Sequence, residues 1–117
     1  MRNPYKLRVT ECAFVIGERT YEATAEFLSN ERFGFVTQMR RAAVSIGSNI
    51  AEGCGRSTDA QLVNFLNYAS GSATELEFQA RLAIRLGMGS ATSLTELCDL
   101  LTSERKMLAT YARRFTL

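Results

Sequence analysis

Arg32-Phe-Gly-Phe-Val-Thr-Gln-Met-Arg-Arg-Ala-Ala-Val-Ser-Ile-Gly-Ser-Asn-Ile-Ala-Glu-Gly-Cys-Gly-Arg56 decides the fold. Its apolar residues recur at helical spacing: Phe35, Met39, Ala42, Ala43, Ile46 and Ile50 share one side, and Arg41, Ser45, Ser48 and Glu52 lie opposite. One amphipathic helix follows from that stripe. Gly53 and Gly55 are placed to end it, through left-handed backbone or a tight reversal, and Ser57-Thr58-Asp59 supplies side-chain oxygens to cap another helix. No catalytic signature lies in the stretch.

Downstream, a helix is predicted from about Asp59 to Leu86, because Leu62, Leu66, Ala69, Ala73, Leu76, Ala80 and Ala83 alternate helical spacings. At ~1.5 Å per residue this rod is roughly 42 Å long and cannot bury its stripe alone. A fourth helix, from about Leu94 to Phe115, repeats the pattern with Leu94, Leu97, Leu101, Leu108, Tyr111 and Phe115, with Ser93 as its cap. Upstream, Tyr5 to Leu28 carries one stripe of Val9, Ala13, Ile16, Ala23 and Phe27 beside another of Leu7, Phe14, Tyr21, Ala25 and Leu28, with Ser29-Asn30-Glu31 as the exit. The only proline is Pro4, so no helix is interrupted. Short connections between long amphipathic helices predict an all-α, antiparallel up-down-up-down four-helix bundle, a single domain over residues 1–117.

Composition narrows the function. With 46% hydrophobic and 22% charged residues the chain reads as globular, and no run approaches the roughly 20 apolar residues of a membrane span. Met1 to Lys6 lacks the apolar core of a signal peptide, so a cytoplasmic protein with no membrane contact is expected. Cys12, Cys54 and Cys98 are widely spaced, which supports neither a disulfide framework nor a metal site. Histidine is absent, removing the commonest general base and metal ligand together. Glu75 and Glu77, two apart on a helix, diverge by about 160° and cannot converge on one bond or one metal. These features predict no enzyme, no catalytic residue, no metal and no cofactor.

The run from Phe33 to Arg56, followed by Phe65-Leu66, Ala69, Gly71-Ser72, Glu75-Leu76-Glu77, Gln79 and Leu86-Gly87, resembles the bacterial four-helix-bundle family named for proteins encoded in intervening sequences of 23S ribosomal RNA genes. That family in turn looks similar to the accessory variability protein of diversity-generating retroelements, a basic bundle that associates with a reverse transcriptase and nucleic acid. The resemblance implies rings of five bundles. Two positions depart from its pattern: Gly47 stands where proline is frequent, and Cys54 replaces a usual aromatic.

With a net charge of only +2, nucleic-acid binding must be argued from placement. An up-down-up-down bundle brings the start of the first helix, the second turn and the end of the fourth helix to one end, gathering Arg2, Lys6, Arg8, Arg56, Arg113 and Arg114, offset mainly by Glu11, Glu52 and Asp59. Arg113 and Arg114 suit a helix C-terminus; Arg2, Lys6 and Arg8 oppose the dipole, so a binding role for RNA or DNA is the expectation. The other end collects Glu22, Glu26, Glu31, Glu96 and Asp99 against Arg19, Arg32 and Arg85.

Tyr68, Phe78 and Leu82 fall on the outer side of the third helix and predict a subunit interface, which Arg41, Ser45 and Ser48 extend on the second. Arg40, Asn49, Glu52, Glu75 and Gln79 are assigned to a structural polar network, with Asn49 fixing register near the core and Glu75 or Gln79 reaching Arg40 or Arg41. The chain is thus expected to be a homo-oligomer, a pentamer by the resemblance, that acts as a non-enzymatic binding or accessory module. The alternative is a scaffold that holds a partner protein and no nucleic acid.

Overall fold

The computed structural model describes residues 2–28 and 32–116, with backbone only at 32 and 33. Four helices, α1 (Arg8–Ala25), α2 (Thr37–Cys54), α3 (Asp59–Arg85) and α4 (Ala91–Ala112), account for the fold, and there is no strand among the described residues. Each packs against its sequence neighbours, and α4 closes on α1, so the helices stand in order around a square with α1 diagonal to α3. The bundle measures 44 × 22 × 20 Å, its length set by α3.

The core is the closing of four stripes. Every residue of the α3 stripe, from Leu62 to Ala83, is buried, as are Met39, Ala42, Ala43, Ile46 and Ile50 of α2, whereas Phe35 is half-buried. Each fully buried leucine contributes about 1.5–3 kcal/mol over an exposed one. The two stripes of α1 have different fates. Val9, Ala13, Ile16, Ala23 and Phe27 enter the core, while Phe14, Tyr21 and Leu28 remain exposed. In a square arrangement each helix meets only two neighbours, so the second stripe has no helix of its own chain to face. Thr10, Thr20 and Thr24 are also buried in α1; Thr20 and Thr24 donate to the carbonyls of Ile16 and Thr20, both at 2.7 Å, and so need no external partner.

The ends of the helices depart from the sequence reading in specific ways. The first helix was expected from Tyr5, but Asn3 accepts from the Tyr5 amide at 3.0 Å and nucleates a separate 3₁₀ turn, Pro4–Lys6, and Leu7 is extended before α1 begins. The helix expected from Leu94 starts at Ala91, because Ser90 and not Ser93 is the cap, accepting from the Ser93 amide at 3.2 Å. Thr58 caps α3 by accepting from the Gln61 amide. A π-helical turn, Arg32–Val36, leads into α2; the predicted Ser29-Asn30-Glu31 exit lies outside the described residues.

Of the two routes expected at Gly53 and Gly55, left-handed backbone or a tight reversal, neither residue takes the left-handed one; positive φ occurs only at Gly87 and Gly89 among the described residues. Gly55 caps α2 at φ −84, and what Gly53 provides is proximity: a Cβ there would stand 2.8 Å from the Phe65 Cβ on α3. At Gly87, φ is 71, and the amides of Gly87 and Met88 donate to the carbonyls of Ile84 and Ala83, a Schellman closure that satisfies the end of α3.

One core position is not apolar. Counting along α4, Leu94, Leu97, Leu101, Glu104 and Leu108 alternate spacings of three and four, so Glu104 occupies a full core register and is 0% exposed. Among the described residues neither carboxyl oxygen has a hydrogen-bond partner at ordinary distance, and the polar group nearest in effect is the Cys12 thiol of α1. Burial pushes the Glu104 pKa up to about 8. Across the seam, burial and then the Glu104 charge push the Cys12 thiol up to about 12.

Candidate nucleic-acid interface

The N-terminal segment ties the predicted basic end together. The Arg2 amide donates to the Cys54 carbonyl at 3.1 Å, its guanidinium pairs with Asp59 at the start of α3, and it lies 4.8 Å from the Phe115 ring centroid beyond α4. One residue thus joins four parts of the chain. Arg56 pairs with Glu52 at 3.6 Å and lies 4.8 Å over the Phe65 ring. Both guanidiniums are therefore committed within the chain, Arg2 as a clasp and Arg56 as part of the α2–α3 turn.

The remaining cations are disposed differently. Lys6 and Arg8, at the start of α1, and Arg114, after α4, line one groove between the two helices, together with Lys106, Thr110 and Tyr111. Its volume is about 390 Å³. None of these four cations forms an ion pair among the described residues; Arg114 lies 5.8 Å over the Tyr111 ring, and burial raises the Tyr111 pKa, keeping that phenol neutral. Arg113, exposed, donates to the Thr110 hydroxyl at 3.2 Å. Four cations around a concave surface with an aromatic wall can hold phosphate oxygens by charge and accept an apolar face beside them.

Lys106 is absent from the sequence-derived set; it shares one face of α4 with Thr110, four residues on. The same α1–α4 seam bears the opposite sign at its far end. There Glu22, Glu26, Glu96 and Asp99, with Arg19, line a groove of about 780 Å³. Glu31 and the Arg32 side chain, assigned to that end from sequence, lie outside the described part.

The polar set on α2 and α3 is only partly a network, and not the expected one. Arg40 turns to α1: its Nε donates to Thr24 Oγ1 at 2.9 Å, its Nη2 to the Tyr21 carbonyl at 3.3 Å, and it lies 4.4 Å over the Tyr21 ring. It reaches neither Glu75 nor Gln79. Asn49 donates to the carbonyl and hydroxyl of Ser45 in its own helix, so it does not fix register between helices. Ser45 shares a 2.8 Å hydrogen bond with Ser72, which places it in the α2–α3 contact. Glu75 is exposed, and the Gln79 Oε1 is buried with no partner among the described residues. Arg41 and Ser48 are exposed on α2, and on α3 Tyr68 and Phe78 are exposed while Leu82 is half-buried. The strong ionic contact is one that sequence reading passed over. Glu77 accepts from Arg81 at 2.8 Å and from Arg105 of α4, and these bonds outweigh burial to hold its carboxyl below the usual range.

Fold and surface together define a class, a small all-α bundle with unpaired cations around a groove at one end. The chain belongs to the 23S rRNA-intervening sequence protein family, whose model matches residues 5–110. A solved structure of a protein of unknown function from the S23 ribosomal protein family of Bacteroides thetaiotaomicron is similar to it, with 27% identity and a TM-score of 0.80 over 89% of this chain and 97% of that one. No curated protein matches the sequence. Among the described residues no helix is long and apolar enough to cross a membrane.

Proposed function

We propose that the protein is a non-enzymatic, self-associating accessory module that binds nucleic acid through the groove between the start of α1 and the end of α4. The observation that carries this reading is the convergence of Lys6, Arg8, Lys106 and Arg114 on one concave surface with no carboxylate paired to any of them among the described residues. Unpaired clustered cations cost electrostatic free energy in the free protein, and phosphates relieve it while releasing counterions. Arg2 and Arg56, already paired, shape the end of the bundle, and Arg113 adds charge at its rim. The site is modest in one subunit; assembly into the ring of five that the resemblance implies multiplies it by avidity. The likeness to the retroelement accessory protein that the sequence resemblance implies would agree with that role, and a cytoplasmic location would suit it.

Fluorescence anisotropy with labelled single-stranded RNA and DNA across a salt series tests the proposal. Wild-type affinity falls steeply as salt rises, and Lys106→Gln lowers the slope of log K against log salt by about 0.7 for each phosphate contact removed. A salt-independent signal, or none at low ionic strength, overturns the reading. The second reading, a protein scaffold, draws on the aromatic side chains left exposed on α1 and α3, and predicts no shift that grows with oligonucleotide length.

A further inference from the structure

The cationic groove between the start of α1 and the end of α4 is graded in depth. Lys6, Arg8, Lys106 and Arg114 are exposed and stand at its rim, whereas Leu7, Met107 and Tyr111 beneath them are half-buried and Val9 is buried. Phosphate alone has no use for that floor, because charge at the rim holds it and the apolar surface below stays wet. A flat apolar group carried between two phosphates engages both levels. A nucleobase is such a group only when unpaired, since inside a duplex its two faces are already stacked on neighbouring pairs. The volume of about 390 Å³ lies at the small end of ligand sites and suits one nucleotide, not a double helix.

Tyr111 offers the face. Phe115 meets its ring at 82° with centroids 5.1 Å apart, and Phe115 is itself held 4.8 Å from the Arg2 guanidinium, which Asp59 anchors to α3. The platform is therefore fixed before any ligand arrives. Over the ring lies the Arg114 guanidinium, 5.8 Å from the centroid, and no ion pair holds it there among the described residues. A ring inserted between two planes needs ~3.5 Å on each side, about 7 Å in all, so an outward movement of roughly 1 Å by this exposed side chain opens a slot. We infer that the slot takes one unpaired nucleobase of RNA or DNA, sandwiched between the Tyr111 ring and the Arg114 guanidinium, with its flanking phosphates on Lys6 and Arg8 of one wall and Lys106 of the other. Arginine suits the lid of such a slot, because its planar group stacks on a base while its charge stays available to the phosphates. Every base has the same kind of face, so the slot distinguishes unpaired from paired nucleic acid and does not read sequence.

This inference rests on the groove of the proposed function and names what enters it, and one experiment separates the two. Fluorescence anisotropy compares a labelled single strand of DNA of about ten nucleotides with a strand of equal length and charge in which every base is replaced by an abasic sugar. The wild type binds the complete strand about 5- to 100-fold more tightly, the worth of one stacked base, and both affinities fall with salt along closely similar slopes. Tyr111→Leu brings the complete strand down to the affinity of the abasic one, and Tyr111→Phe, which keeps the ring, behaves as the wild type. The comparison of the two strands on the wild type needs no substitution, so it decides the matter even if Tyr111→Leu does not fold. Equal affinity for the two strands with a steep salt dependence overturns the base slot and leaves the phosphate groove standing. A Tyr111→Leu variant that is helical by circular dichroism and still prefers the complete strand overturns the slot as well. No affinity for either strand at low ionic strength overturns the nucleic-acid reading beneath it.

Discussion

Glu104 sets the pH response of this bundle. Its folded pKa, raised by burial from 4.5 to about 8, means that the native state holds a proton which the unfolded chain releases. The stability it permits is complete below pH 4.5 and declines as pH rises towards 8, by about 1.4 kcal/mol for each pH unit in that window. Replacement by leucine, Glu104→Leu, gives the core register an apolar side chain of similar size. Urea unfolding at pH 5 and pH 8 should show the variant gaining about 1–4 kcal/mol at the higher pH, with the decline flattened. A decline that survives the substitution assigns it to another group. The position was legible in principle, since the spacing of Leu101 and Leu108 leaves a core slot at 104, but a carboxyl there contradicts the hydrophobic rule and was passed over. Lys106 was missed for a different reason: an isolated lysine on a helix carries no sign of what stands opposite, and only the closing of α4 onto α1 supplies Lys6 and Arg8.

At the scale of elements, α3 was the most legible, because seven apolar residues in strict register permit only one buried side, and all seven are buried. Its tie to α4 was not legible. Glu77 and Arg105 are 28 residues apart, and nothing local distinguishes Glu77 from exposed Glu75; rotation of the helix alone points one at α4 and the other outward. Glu77 has only 15% of its side chain exposed and accepts from two guanidiniums, so Glu77→Ala leaves Arg105 partly buried without its carboxylate. A loss of about 1–3 kcal/mol in thermal or denaturant unfolding is expected. Since its folded pKa is lowered, this contribution is present at neutral pH and lost as pH falls below the ordinary carboxylate range, opposite in sense to Glu104. A second expectation concerns the α3–α4 turn, where Gly87→Ala forces a side chain into left-handed backbone and should cost about 1–2 kcal/mol. Helix ends resisted sequence reading because Ser90 and Ser93 offer the same hydroxyl, and only the observed backbone makes Ser90 the cap.

On the scale of the whole molecule, charge and shape act together. The α1–α4 seam is basic at one end and acidic at the other, so a polyanion approaching the subunit is turned towards Lys6, Arg8, Lys106 and Arg114 and repelled from Glu22, Glu26, Glu96 and Asp99. In the proposed ring of five, with the long axes aligned, every basic groove would lie on one face, and a long strand would then engage several grooves while a short one engages a single groove. On that proposal assembly and affinity are linked in a way that depends on ligand length. Phe78→Asp, at the subunit interface expected on α3 and outside the cationic groove, should bind an oligonucleotide of about five nucleotides as the wild type does. With a strand of about forty it should lose roughly 10²-fold or more, the range over which avidity operates. Anisotropy titrations of both lengths against both proteins at one salt concentration measure this directly. Equal losses at both lengths would mean that the outer face of α3 touches nucleic acid itself, and no loss at either would mean that each subunit binds alone.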